Sequence, residues 1–229
     1  MASHSSRKFY LSLIALLAVL FSFAFPAPAG AAIPVTGMVA ALPSAPRILD
    51  NSAAAASAEL LSLTDFIAAV QTGDSSRLVG VYVKRVMALR VVQQPAGSPG
   101  YVSSTEGVAT QFGLAAQYDV IGLLAHNFAA GSKFFDIRSG DRITLVYGDG
   151  RTAEYQVSQI HSYQALSPNS ASSNFKDLDS GKTLSAQELF NQVYTGAPHL
   201  TLQTCIQQGD VDSWGRLFII AQPVPSTGG

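Results

Sequence analysis

The chain has one cysteine in 229 residues, Cys205, and this excludes any internal disulfide. Its 14 Lys and Arg nearly balance 15 Asp and Glu. The few cations outside the N-terminal leader are scattered, so the clustered positive charge that phosphate backbones require is missing, which argues against nucleic acid as a partner. Beyond the leader there is no second apolar run of spanning length, no internal repeat and no convincing carboxylate cluster for a metal. No cysteine follows the leader to carry a lipoprotein anchor.

Residues 1–32 read as a signal peptide or N-terminal membrane anchor. Arg7 and Lys8 form a basic start, Phe9 to Phe25 is almost wholly apolar, and Ala27 to Ala32 supplies small residues suited to signal peptidase. The apolar stretch is close to the lower limit for crossing a bilayer, so cleavage and retention both stay open. Contact with the membrane is then through the N-terminus only, and the remainder is extracytoplasmic. Residues 33–61, rich in Ala, Pro and Ser, read as a flexible linker. The folded part is expected over 62–224, with a short tail at 225–229.

Within 62–224 a short helix is expected at 64–72, capped by Ser62 or Thr64 and ended near Gly73. Short β-patterned runs follow: Val79 to Val83, Val91-Val92, and the continuous apolar run Val120 to Ala125. Arg142 to Tyr147 and Arg151 to Tyr163 flank Gly148-Asp149-Gly150 as a hairpin. Ser185 and Glu188 stand at capping-box spacing before a second short helix. Leu200 to Cys205 and Arg216 to Ala221 are the last strands. Many short strands with brief helices predict a mainly β fold, a closed or nearly closed barrel.

A lone cysteine in an exported protein is a buried inert thiol, an intermolecular link or a reactive nucleophile. A nucleophile needs a proton carrier and a group that stabilises an oxyanion. Of the four histidines, His4 is in the leader, and His199 is on the strand of Cys205, roughly 20 Å away at about 3.3 Å per residue. His126 ends a buried strand where a loop begins, and His161 lies inside a mixed polar strand. The spacing favours His126 and leaves His161 open. Arg216 opens the strand after Cys205. If the two strands pair across their connecting loop, its guanidinium is beside the thiol; otherwise it is a solvated strand-end cation.

Together these residues resemble the sortases. Leu200-Thr201-Leu202-Gln203-Thr204-Cys205 followed by Arg216 is similar to their nucleophile region. Leu123-Leu124-Ala125-His126-Asn127, with Phe134 or Phe135 and Gly140-Asp141 after it, resembles their histidine region. The likeness runs from about Val79 to Pro223. It implies a closed eight-stranded β-barrel with short helices and a cysteine transpeptidase at the cell surface. Such an enzyme cuts a Leu-Pro-x-Thr-Gly type of sorting peptide after Thr through a thioester. By the same resemblance Cys205 is the nucleophile, His126 the general acid/base and Arg216 the group steadying substrate and oxyanion, while Thr204 shapes the substrate pocket. No metal and no organic cofactor are implied.

The implied partners are surface proteins bearing a sorting signal and an amine acceptor, either a cell-wall peptide or a pilin lysine. Two other readings stay open: a peptidase that only hydrolyses its acyl-enzyme, and a non-catalytic peptide-binding barrel. Ala125 stands where the family often has Gly, which is expected to narrow the approach to the pocket. The stretch Tyr101 to Tyr118 departs from the better-known members, and 164–198 occupies the place of their specificity loop. Ile33-Pro34-Val35-Thr36-Gly37 and Val224-Pro225-Ser226-Thr227-Gly228 look like sorting peptides. Neither precedes an apolar span with a basic tail, so chance in Pro/Thr/Gly-rich tails is the simpler explanation.

Overall fold

Among the described residues the first element is an amphipathic helix, α1 (Leu63–Val70), whose N-cap Ser62 side chain accepts a hydrogen bond from the Asp65 amide. The computed structural model describes residues 61–170 and 172–225. The leader, nearly all of the linker, the Thr36 motif and most of the C-terminal tail lie outside the described residues. Ten strands follow α1: β1 (Leu78–Val83), β2 (Met87–Gln93), β3 (Val108–Phe112), β4 (Ile121–Leu124), β5 (Arg142–Tyr147), β6 (Thr152–Ala165), β7 (Phe175–Asp177), β8 (Thr183–Leu184), β9 (Leu200–Gln208) and β10 (Val211–Pro223). A second helix, α2 (Ala186–Tyr194), lies between β8 and β9 and carries the capping box read from Ser185 and Glu188. Two 3-10 segments, Ala115–Tyr118 and Ala130–Asp136, flank β4.

The strands run in the order β10-β9-β4-β3-β2-β1-β5-β6, and β6 pairs with β10 to close the ring. Eight strands thus form a closed barrel, and β7 and β8 extend from β6 outside it. The β2–β3 and β4–β9 pairs are parallel and the others antiparallel. The expected mainly β, closed eight-stranded barrel with short helices is the observed fold. Closure removes the edges that an open sheet of this size would leave unpaired.

Alternation along the strands builds two apolar layers. Val81, Leu89, Ala109, Leu123, Leu145, Leu202 and Ile219 point into the barrel. Outside it, Phe218, Ile220, Tyr163 and Leu124 pack against Leu189, Phe190 and Val193 of α2. At another part of the wall, α1 lays Phe66 and Val70 over Val79 and Tyr82, so every residue of β1 is buried. Gly80 allows that docking, because a Cβ there would come within 2.9 Å of the Phe66 ring.

Five strands differ from the sequence expectation. The last two strands are longer, 200–208 and 211–223, and a two-residue turn joins them in place of a long loop. Arg216 is therefore inside β10 and does not open it. Strand β3 and the pair β7–β8 carry no alternation clear enough to read, being five, three and two residues long.

Candidate active site

The site is built on the outer face of the barrel wall. On β9, Leu200 and Leu202 face inward, so Thr201, Gln203 and Cys205 face outward. The end of α2 sits over the first two of these. The Tyr194 hydroxyl donates to Gln203 Oε1 at 2.7 Å, and the Thr201 hydroxyl donates to the Val193 carbonyl at 2.7 Å. Cys205 comes next along the strand. Across the antiparallel ladder its partner is Arg216, and the partner of Arg216 on β6 is Tyr163. On the other side, parallel β4 pairs Leu124 with Gln203. Carrying that register two residues further sets His126 abreast of Cys205. One row across three strands therefore reads Tyr163, Arg216, Cys205, and His126 lies on the chain just past the end of β4.

Each member has a defined environment. Cys205 is 2% exposed. Burial pushes its thiol above the ordinary value of 9.0; the nearby Arg216 charge opposes this rise and the Asp212 carboxylate adds to it. Arg216 is fully buried, and its Nη1 donates to the Ser213 carbonyl at 2.9 Å and the Gly215 carbonyl at 2.8 Å. Burial lowers its affinity for a proton and the facing thiol partly restores it. Even so, a guanidinium remains charged at neutral pH. Tyr163 takes a hydrogen bond from Gln192 at 3.0 Å, and burial pushes its phenol up to about 12.

His126 is half-buried, with Nε2 3.3 Å from the Val102 carbonyl and its ring stacked on Phe128 at 4.8 Å and 24°. The contact with a carbonyl places the ring hydrogen on Nε2 and leaves Nδ1 as the basic nitrogen. Burial lowers the imidazole below its ordinary 6.5, and the Val102 carbonyl counters that in part. At neutral pH the row therefore rests as a neutral thiol beside a neutral imidazole, next to a fixed cation.

The wall is irregular just beyond the row. Gln208 pairs with Val211 and Ile206 with Gly215, so Gln207 alone stands opposite Asp212, Ser213 and Trp214. This β10 bulge is held at two points. Arg216 grips the Ser213 and Gly215 carbonyls from one side, and the Asn127 amide donates to the Asp212 carbonyl at 3.2 Å from the other. The Ser213 hydroxyl also reaches the Pro168 carbonyl at 3.4 Å, tying in the loop after β6.

Thr204 lies on the opposite face of β9 from Cys205 and is fully buried. Its hydroxyl has no hydrogen-bond partner among the described residues, and it packs against the Gly131 backbone. The 3-10 segment after His126 can approach this closely only because Gly131 has no Cβ. One built there would also lie 2.7 Å from the His126 carbonyl and 2.8 Å from that of Ala125. Thr204 thus wedges the histidine loop from inside the barrel. Ala125 also faces inward and is fully buried, so it does not narrow the outer pocket.

The other histidines have different surroundings. His199 is buried between the Ala197 and Val193 carbonyls at 2.8 and 3.1 Å. His161 pairs with Phe218 on β10. That leaves it two strands from Cys205, about 10 Å, whereas His126 is one strand away. Asn127, Val102 and Asp212 were not singled out from sequence; adjacency to His126 was the one available signal, and it pointed to Asn127 alone. Among the described residues no group of three or more His, Cys, Asp or Glu could hold a metal ion.

No protein-family profile and no curated protein matches the sequence. Solved structures similar to it include sortase A from Corynebacterium diphtheriae, 13% identical, covering 65% of this chain and 61% of that one with a TM-score of 0.44. Sortase C1 from Streptococcus suis is 12% identical, with coverages of 72% and 79% and a TM-score of 0.45. Sortase C-1 from Actinomyces oris is 13% identical, with 70% and 80% covered and a TM-score of 0.44. The chain spans about three fifths of the Corynebacterium structure. Its own fold is a closed eight-stranded mixed barrel with few short helices.

Proposed function

We propose that this protein is a sortase-type cysteine transpeptidase. It cleaves a Leu-Pro-x-Thr-Gly-like peptide after Thr and passes the acyl group to an amine. The observation that supports this reading is the pairing of Cys205 with Arg216 across β9 and β10, with His126 just past the end of β4 on the other side of β9. In the first half-reaction the Cys205 proton moves to Nδ1 of His126 as sulfur attacks the Thr carbonyl. Arg216 supplies the fixed positive field for the developing oxyanion. His126 then returns the proton to the departing Gly amine, and a thioester remains. In the second half-reaction an amine attacks the thioester carbonyl, and Cys205 leaves as the new amide forms. The tightly held bulge and the wedge at Gly131 keep these groups in place.

The exported leader supports a location at the outer face of the membrane, anchored by the N-terminus or released after its cleavage. Among the described residues no helix is long and apolar enough to cross a membrane. The partners in this reading are surface proteins with sorting signals and a cell-wall peptide or pilin lysine as acceptor. The purified protein should be incubated with a Leu-Pro-x-Thr-Gly-type peptide, with and without an amine, and the products weighed. A transfer product dependent on Cys205 is expected. Hydrolysis alone in both incubations would make the protein a peptidase, and unreacted peptide would leave a binding barrel.

A further inference from the structure

The corner where the histidine loop meets the β10 bulge holds acceptors that no group among the described residues donates to. Asp212 is half-buried there, and among the described residues its carboxylate takes part in no ion pair and no hydrogen bond. Beside it, Asn127 spends its amide N–H on the Asp212 carbonyl, and its Oδ1 is buried without a hydrogen-bond partner among the described residues. A carboxylate and a spare amide oxygen, fixed on a segment held from both sides, complement a group that carries positive charge and several N–H donors.

We propose that Asp212 receives the acceptor of the second half-reaction, binding the ammonium of a primary amine at the bulge beside Cys205. This rests on the acyl-transfer reading above. Asp212 disfavours a thiolate at Cys205, since its charge raises the thiol further. An ammonium seated against the carboxylate offsets that charge while it waits there, before delivery to the thioester. On delivery the ammonium gives up one proton to solvent. Its nitrogen attacks the thioester carbonyl, and a second proton passes to Nδ1 of His126 as the C–N bond forms. The C–S bond then breaks, the electron pair goes to sulfur, and His126 returns the proton to it.

The test compares wild type with Asp212→Asn, an isosteric change, using an activated acyl ester to load the thiol. Transfer and hydrolysis drain the same thioester, so their ratio is independent of how fast it forms. With n-butylamine, charged at neutral pH, the ratio should fall about fivefold in the variant, the scale of one partly solvated ion pair. With hydroxylamine, uncharged at that pH, it should not change. Equal ratios with n-butylamine overturn the proposal. A second measurement needs no acyl transfer: the pH dependence of Cys205 alkylation, with and without n-butylammonium at constant ionic strength. The charged groups facing the thiol are Arg216 and Asp212 of β10, and His126 beyond β4 is the titratable neighbour. The amine should lower the alkylation midpoint in wild type only. If no thioester forms with any acyl donor, the transfer reading fails, and the alkylation shift still decides the ammonium site. No shift in wild type, or the same shift in the variant, overturns it.

Discussion

Cys205 and Arg216 are direct partners across the β9–β10 ladder, and both side chains point out of the barrel. The cation is fully buried and spends one terminal nitrogen on two carbonyls of the adjacent bulge. A guanidinium can do this while still presenting charge toward the thiol, whereas an ammonium is a single point charge on a flexible stem. Arg216→Lys should therefore lose at least roughly tenfold in thioester formation despite keeping its charge. It should also lose about 1.5–3 kcal/mol of stability, the range for hydrogen bonds to a charged group. Acyl-enzyme mass and thermal melting read the two effects. Wild-type turnover in that variant would reduce the residue to a structural cation.

His126→Ala should lower turnover at least roughly a hundredfold, the usual contribution of a positioned acid/base. His161→Ala, two strands from the thiol, should leave turnover near wild type. His199→Ala removes a buried ring held by two carbonyls and should cost about 1–3 kcal/mol in unfolding without a comparable loss per folded molecule. A large kinetic loss at His161 instead would mean that the wrong strand had been paired with the nucleophile.

The pH profile follows from the two directions of shift. His126 is held below 6.5 and Cys205 above 9.0, both chiefly by burial. Between those limits the pair shares one proton, so the competent fraction stays constant. Thioester formation should be flat across neutral pH, falling only below 6.5 and above 9.0. Stability follows the same sign. The unfolded imidazole binds its proton more readily and the unfolded thiol loses its proton more readily, so acid and alkali both favour unfolding outside that window. An alkaline limb well below 9.0 in the rate profile would show that the Arg216 field outweighs desolvation.

Gly131→Ala should destabilise the protein by about 1–3 kcal/mol, because the added methyl meets two carbonyls and the Thr204 hydroxyl in a packed wall. Turnover should fall with it, since one of those carbonyls belongs to His126. Thr204→Val removes a buried hydroxyl that has no partner among the described residues and should leave the melting temperature equal or higher. A raised KM for the sorting peptide in Thr204→Val would return this residue to the substrate pocket.

The sequence by itself determined which residue types could do chemistry and that the fold is a barrel of short strands. Short apolar runs punctuated by turn residues carry that information locally, as does the capping box at Ser185 and Glu188. It also brought Cys205 and Arg216 together in expectation, although by a loop that does not exist. The tight turn at Gly209-Asp210 and the bulge at 212–214 produce the same pairing. Only the tertiary structure decided which face each residue occupies. Thr204 and Ala125 adjoin the proposed nucleophile and base in sequence but point into the barrel, because one step along an extended chain reverses the side chain. It also set His161 two strands from Cys205, since strand order is a property of the closed sheet and leaves no local mark. Asp212 lies in the β10 bulge opposite Gln207 for a similar reason: a register shift places it there, and a shift of that kind depends on what the opposite strands and loops can hold.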